Sequence, residues 1–465
     1  MLTRREFLIA SAAITAATAC DANAQQPSSS TKPNILFIVA DDLGWGDLSC
    51  YGRPDYKTPV LDNLAARGAR LTQAYANSST CSPTRVALIT GRYQNRLPVG
   101  LYDPLPAGTK VGLPPEHATL PGLLKAAGYR TALVGKWHLG WPPMFGPMKS
   151  GYDEFFGQLG GGMTYFTHKA GPYLGAPVAH GLYDGEAPVE REGYATDLFA
   201  DRAIEITRRA DPRPFFLSLH FNAPHWPWEG PQDKAQATSL REMAHYEGGS
   251  PRVFAAMVQS MDAAIGRVLK ALEAAGRAND TIIVFTSDNG GERYSYHWPF
   301  RGGKGYLWEG GIRVPTIVVW PGVLAGGKVV KQLAMSMDWL PTLLPVAGAK
   351  PDSAYPPDGA DLMPVLLGRA PEFERTVFWR TQDMAAARNG DWKYVRWGNS
   401  EYLVNLTEDE TENANFKLKH AAVFEQLQRA YEGWDKHMLP IPAEVRRGPY
   451  GDYANRAQAL ESIRR

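Results

Sequence analysis

The sequence predicts an α/β protein: a large, mainly parallel sheet sandwiched by helices, followed by a smaller C-terminal α+β domain with an antiparallel sheet. Three observations predict it. From Asn34 to Trp320, short apolar runs alternate with helical patterns, as strands alternate with crossover helices in a parallel sheet. After about Gly368 the texture changes to short runs of antiparallel type. At 465 residues the chain also exceeds what one simple core needs, so one large domain and a smaller one are expected.

The elements follow in order. Residues 1–24 read as an export signal. Arg4 and Arg5 precede Phe7-Leu8 as in a twin-arginine signal, an Ala/Thr-rich apolar stretch runs to Ala19, and Ala22-Asn23-Ala24 fits cleavage after Ala24. That stretch is too short and Ala-rich for a good membrane span, so a periplasmic or secreted protein is expected. Lipid anchoring at Cys20 is disfavoured by Ala17, where Leu is usual. A Gln/Ser/Pro linker covers residues 25–32, residues 33–368 form the large domain and 369–465 the small one.

Asn34 to Ala40 reads as a buried strand. Thr58 to Gly68 reads as a helix with Thr58 as cap, Pro59 at its first position and a closing glycine; Thr119 to Gly128 follows the same logic. Arg130–Val134, Pro214–Leu219, Thr281–Thr286 and Thr316–Trp320 are further strands. Phe254, Met257, Val258, Met261, Ile265, Val268, Leu269 and Leu272 mark one face of a long helix ending near Gly276. In the small domain, Thr376–Trp379, Trp392–Val395 and Tyr402–Leu406 read as strands and Ala421–Trp434 as a helix.

Composition excludes some classes. Forty-four per cent hydrophobic and 21% charged residues describe a globular protein, and a net charge of +1 recommends neither nucleic acid nor an anionic membrane as partner. Of three cysteines, Cys20 leaves with the signal. Cys50 and Cys81 would by default form a disulfide in an oxidising compartment.

Chemistry gathers at strand ends. Successive apolar strands run into Asp41-Asp42, Gly135-Lys136-Trp137-His138, His220-Phe221-Asn222-Ala223-Pro224-His225 and Ser287-Asp288-Asn289-Gly290-Gly291. One Asp after a strand is usually a turn or cap. Four endings rich in Asp, Asn, Lys and His point instead to the ligand-binding edge of an open α/β sheet. Asp41, Asp42, Asp288 and Asn289 are hard oxygen donors suited to calcium or magnesium. Asp47 reads as loop-forming. Separately, Thr80-Cys81-Ser82-Pro83-Thr84-Arg85 leads into a helix ending at Gly91, with Ser82 as cap and Pro83 in the first position. Cys81 would then sit just before a helix N-terminus, where N–H groups, the dipole and Arg85 favour an anion.

C-S-P-T-R within S-T-C-S-P-T-R-V-A-L-I-T-G resembles the sulfatase signature, and Gly128 to His138 (G-Y-R-T-A-L-V-G-K-W-H) resembles the second signature of that family. The order of D-D, C-x-P-x-R, G-K-W-H, A-P-H, S-D-N-G-G and R-G-G-K (Arg301–Lys304) is similar throughout. Smaller echoes lie near Asp338 and Asp358.

The resemblance implies an alkaline-phosphatase-like fold and a sulfuric ester hydrolase whose Cys81 is oxidised to formylglycine by a maturation enzyme. It implies one calcium ion held by Asp41, Asp42, Asp288, Asn289 and an oxygen of modified Cys81. One hydroxyl of the hydrated aldehyde attacks sulfur, with Asp288 assisting its deprotonation. His225 and Lys304 engage the sulfate and protonate the leaving alcohol. His138 helps the second hydroxyl expel sulfate, while Arg85 and Lys136 hold the diol and its charge. A converted Cys81 leaves Cys50 as a lone buried cysteine, and His220 supports the A-P-H loop.

Taken singly, Lys136 and Lys304 read as surface residues and His138 as a core histidine; the motifs give them roles. The Gly160–His168 loop looks like those of sulfatases acting on sugars, and Trp226, Trp228, Tyr296, His297, Trp298 and Arg301 flank the motifs. A sulfated carbohydrate is the preferred substrate, with an aryl or alkyl sulfate second. The rivals are a phosphodiesterase or phosphonate monoester hydrolase of the same superfamily, and a catalytically silent glycan-binding protein with unmodified Cys81.

Overall fold

Asn34–Ala40 is a strand of seven residues whose side chains, apart from Asn34, are all buried. An unbroken Ile-Leu-Phe-Ile-Val run lacks the alternation of a half-exposed strand and fits one covered on both faces. It lies at the centre of a ten-stranded sheet. The order is Lys328–Val330, Ala69–Leu71, Thr316–Val319, Thr281–Ser287, Asn34–Ala40, Phe215–His220, Arg130–Lys136, Glu154–Gln158, Tyr183–Asp184, Ala187–Pro188. The five from Thr281–Ser287 to Glu154–Gln158 pair in parallel. The Thr316–Val319 strand is antiparallel to its neighbour. Its connection stays at the carboxyl edge of the sheet, so the strand must re-enter from the edge its predecessor left.

This computed structural model describes residues 32–170, 179–235 and 249–446; the stretch read as an export signal, Cys20 and all of the expected linker except Lys32 lie outside them.

The two faces of the sheet carry separate cores. Leu36, Ile38 and Ala40 pack with Phe199 and Ile206 of the Ala195–Arg208 helix and Met257, Met261 and Ile265 of the Pro251–Ala274 helix. Ile35, Phe37 and Val39 pack with Val86, Ile89, Leu124 and Leu340 on the other face. Ser250 starts the long helix, its side chain accepting from Val253 N–H at 3.2 Å. Its predicted face is buried, with Leu269 only partly so.

Two local readings change. Thr58 does not cap the Pro59–Arg67 helix with its hydroxyl, which accepts from Ser49 N–H. The Asp262 carboxylate reaches over from the long helix and accepts from Val60 and Leu61 N–H at 3.1 and 2.9 Å. Gly68 has a φ of −136° and is no left-handed cap. It is small because a Cβ would lie 2.1 Å from the Val318 carbonyl oxygen.

The C-terminal sheet is an antiparallel meander of four strands, Thr376–Arg380, Met384–Asn389, Trp392–Trp397 and Ser400–Asn405. Leu427 and Tyr431 of the Ala421–Asp435 helix cover one face, against Ala385, Ala387, Tyr394 and Leu403. The other packs Trp379, Ala386 and Val395 with Tyr75, Leu307 and Trp308. Met384–Asn389 was not among the expected strands: its Met-Ala-Ala-Ala core has weak strand propensity and is fixed by partners on both sides. Among the described residues no helix is long and apolar enough to cross a membrane.

Candidate active site

Parallel strands bring their carboxyl ends to one edge, so the four endings become neighbours. Val39 pairs with His220 on one side and Thr286 on the other, while His220 pairs with Gly135. The chain leaves this edge under strain: Asp42 has a φ of 62° and His138 of 63°, the left-handed region that non-glycine residues avoid.

Cys81 is 1% exposed and opens the Cys81–Thr90 helix, all of whose residues are buried. It therefore lies within the first helical turn, not before it. Ser82 is not the cap: Thr80 holds that position, and the Ser82 hydroxyl accepts from Leu105 N–H at 2.7 Å. Thr84 ties the turn back to Ser78 through hydrogen bonds of 2.9 and 3.0 Å. Cys50 and Cys81 are both free, so the default disulfide is absent. Cys50 is half-buried, against the expected full burial, and burial with the nearby Asp62 pushes its thiol up to about 12.

Around Cys81 lie three carboxylates and three cations. Single ligand atoms of Asp41, Asp42, Cys81 and His225 fall within 4.8 Å of one another. Lys136 Nζ donates to Asp41 at 2.6 Å and Lys304 Nζ to Asp42 at 2.6 Å. Arg85 grips Asp288 through Nε at 2.9 Å and Nη2 at 2.8 Å. Asp288 also accepts from Asp42 N–H at 3.2 Å, and Asn289 Nδ2 donates to Asp42 at 2.7 Å. Burial and the nearby Asp288 hold the Asp41 carboxyl well above the carboxylate range, Lys136 notwithstanding. Burial would raise Asp42 too, but Lys304, His225 and Lys136 outweigh it and bring that carboxyl down to about 2. Lys304, despite burial, is held well above its usual value by Asp42.

The donor set fits a divalent cation. Asp41 Oδ1 and Asn289 Oδ1 are buried oxygens without a hydrogen-bond partner, beside two further carboxylates. Three carboxylates against Arg85, Lys136 and Lys304 cancel formally, so a divalent ion would leave the site positive and suited to an anion.

Two imidazoles are held neutral. Burial, then Lys136, lowers His138 well below its ordinary value. Its Nε2 bonds the Leu105 carbonyl at 2.9 Å, leaving Nδ1 without a partner. Gly161 lies against the same ring, where a Cβ would come within 2.6 Å. Burial and Arg85 take His220 down to about 3. His220 was expected to support the following loop; its Nδ1 lies 3.3 Å from both Arg85 Nη1 and the Lys136 carbonyl. His225 Nδ1 bonds the Trp226 carbonyl, with Nε2 3.7 Å from Asp42. Asp47 ties its loop as expected, accepting from Gly44 and Tyr296 N–H and pairing with Arg53.

Asn222 lay within one of the four strand endings but was given no role, and Leu105 carried no signal in the sequence. Asn222 is 2% exposed with Oδ1 unpartnered, and the Leu105 loop sets the tautomer of His138 and anchors Ser82. A backbone contact made by a Leu leaves no pattern to read.

The sequence profile of the family described as Sulfatase matches residues 33–349. The chain belongs to the sulfatase family. Members of this family are sulfuric ester hydrolases. The chain is 36% identical to N-acetylgalactosamine-6-sulfatase of Mus musculus, covering 81% of this chain and 73% of the relative. It is also 36% identical to arylsulfatase A of Homo sapiens, covering 78% and 74%. Among solved structures, Ps i-CgsB in complex with k-i-k-neocarrahexaose superposes with a TM-score of 0.80 at 30% identity, covering 89% of this chain and 94% of that one. The phosphonate monoester hydrolase of Agrobacterium radiobacter, at 22% identity and a TM-score of 0.65, shares the fold.

Proposed function

We propose that this sulfatase hydrolyses sulfate esters of carbohydrates, with Cys81 converted to formylglycine by a maturation enzyme and one calcium ion held by Asp41, Asp42, Asp288, Asn289 and the modified Cys81. The observation that carries the reading is the convergence at the sheet edge. A buried cysteine on a helix N-terminus is ringed by three cations, beside buried oxygens that lack partners.

Formylglycine would supply, as its hydrate, the hydroxyl that attacks sulfur. The metal would supply positive charge against the sulfate oxygens; calcium suits a site of several oxygens better than magnesium, which retains water. The chain's own residues do the rest. Arg85, fixed by Asp288, and Lys136, fixed by Asp41, hold negative charge at the helix N-terminus without having to reorganise. Lys304 and His225 converge on Asp42, where they can grip a sulfate oxygen and pass a proton to the departing alcohol. His138, protonated on Nε2 by its bond to Leu105, keeps Nδ1 as the atom able to take a proton.

The carbohydrate reading rests on the names of relatives and on the rim. Trp298 is 67% exposed. Its neighbour His297 bonds the Gly291 carbonyl at 2.9 Å and lies against Gly44 and Gly303, so the loop bearing Trp298 is pinned beside Asp42 and Lys304. An exposed indole in such a place offers a stacking face to a sugar ring. Export to the periplasm or beyond is proposed from the signal alone. The test is turnover of matched substrates by protein from its native host: an aryl sulfate, a bis-aryl phosphate and sulfated galactose oligosaccharides. Preference for sulfate esters, with kcat/KM highest on an oligosaccharide, supports the proposal. Preference for the phosphodiester overturns it, as does binding of oligosaccharide without turnover.

A further inference from the structure

Lys393 is fully buried in the C-terminal sheet, outside the site described above. Its Nζ donates to Glu309 at 2.9 Å and Glu412 at 2.8 Å, both carboxylates being buried as well. The other oxygen of Glu412 accepts from Glu309 N–H at 2.6 Å, and its carbonyl accepts from Arg301 at 3.2 Å. Glu309 also accepts from Tyr75 at 2.5 Å and Arg313 at 3.3 Å, and Arg388 bonds the Tyr75 hydroxyl. Glu412 sits at a φ of 55°, a strained conformation for Glu. Buried ion pairs are a poor route to stability, since apolar packing of the same volume is often as good or better. Such a cluster asks for another explanation.

Its position supplies one. Glu309 opens the turn Glu309–Ile312, which abuts the active site through the backbone. Gly311 accepts from Gly290 N–H at 2.9 Å, one residue after Asn289. Gly310 N–H donates to Arg301 at 2.7 Å, closing the loop that carries Lys304. Lys304 N–H donates to Gly291 at 3.0 Å, and Gly305 N–H to Ser79 at 2.9 Å, two residues before Cys81. The fit has no slack: a Cβ on Gly290 would lie 1.9 Å from the Gly310 carbonyl oxygen. Movement of Glu309 therefore passes to Asn289 and Lys304 through peptide groups rather than flexible side chains.

We propose that Lys393 is a positioning residue: through Glu309 and Glu412 it sets the placement of Lys304 and Asn289, making the C-terminal sheet part of the sulfate site's alignment. Its kinetic consequence rests on the sulfatase reading; its structural consequence does not. In Lys393→Met, assayed well below its unfolding temperature, kcat on 4-nitrocatechol sulfate should fall about tenfold with KM near the parent value, about 1.4 kcal/mol of barrier. Amides in residues 301–312 should exchange faster while those of Arg130–Lys136 stay protected, and Lys393→Arg should restore most of kcat. A folded Lys393→Met with a lower unfolding temperature but parental kcat overturns the proposal, as does unchanged exchange in the loop. If Lys393→Met fails to fold, Glu412→Asn carries the same two readouts. Asn tolerates the positive φ, and its shorter, neutral side chain takes the carboxylate away from Lys393 and Glu309 N–H. A parent protein without turnover counts against the sulfatase reading, and loop exchange then decides the bracing by itself.

Discussion

The cluster at the sheet edge and the cluster beneath the C-terminal sheet use the same ingredients and finish differently. In the first, Asp41, Asp42 and Asp288 share Arg85, Lys136 and Lys304, yet Asp41 Oδ1, Asn289 Oδ1, Asn222 Oδ1 and His138 Nδ1 have no hydrogen-bond partner. In the second, the side-chain atoms of Glu309, Lys393, Glu412 and Arg388 are all satisfied. A buried polar atom without a partner costs about 1–3 kcal/mol, and the four left open at the sheet edge are atoms that a bound ion or substrate would satisfy. The unfinished cluster is built for chemistry and the finished one for alignment.

The largest effect that separates them falls on the nucleophile. Cys81→Ala should lower sulfate ester turnover by about 10⁴-fold or more while the fold survives, measured as kcat/KM alongside thermal unfolding. Any retained activity near the parent level would break the distinction. Metal removal comes next: chelation should abolish turnover and lower the unfolding temperature, and calcium at about 100 times its Kd should return about 2.7 kcal/mol of stability. Lys304→Ala should cost about 10²-fold in kcat, the scale for losing one donor aimed at developing charge.

Acid should strike the sheet edge through His220. Its folded pKa of about 3 lies below the unfolded value of about 6.5. Between these values the unfolded chain binds a proton that the folded chain does not, so stability falls as pH drops through that window. His220→Asn should flatten that slope in unfolding measured against pH. The smallest effect belongs to the rim: Trp298→Ala should raise KM for a sulfated oligosaccharide about fivefold, on the scale of one lost aromatic contact, and leave an aryl sulfate unaffected.

Much of this was legible in the sequence because it is local. Unbroken apolar runs marked the central strands, and each motif at a strand end is contiguous, so a parallel sheet necessarily gathers them. Ser82 misled because Ser-Pro is a strong helix-start pattern, whereas the helix begins two residues earlier and the hydroxyl is taken by Leu105. The Asp262 cap, the Leu105 contact to His138 and the Lys393 cluster were not legible. Each joins segments far apart in the chain, as Lys393 does with Glu309 84 residues away. The Ala-rich strand Met384–Asn389 was missed because its neighbours, not its composition, make it a strand.

The most direct test of the account is the mass of the Cys81 peptide in protein purified from its native host. A loss of about 18 Da relative to cysteine, the shift of thiol-to-aldehyde conversion, is the result expected. An unmodified thiol in protein that still turns over sulfate esters would contradict the formylglycine account outright.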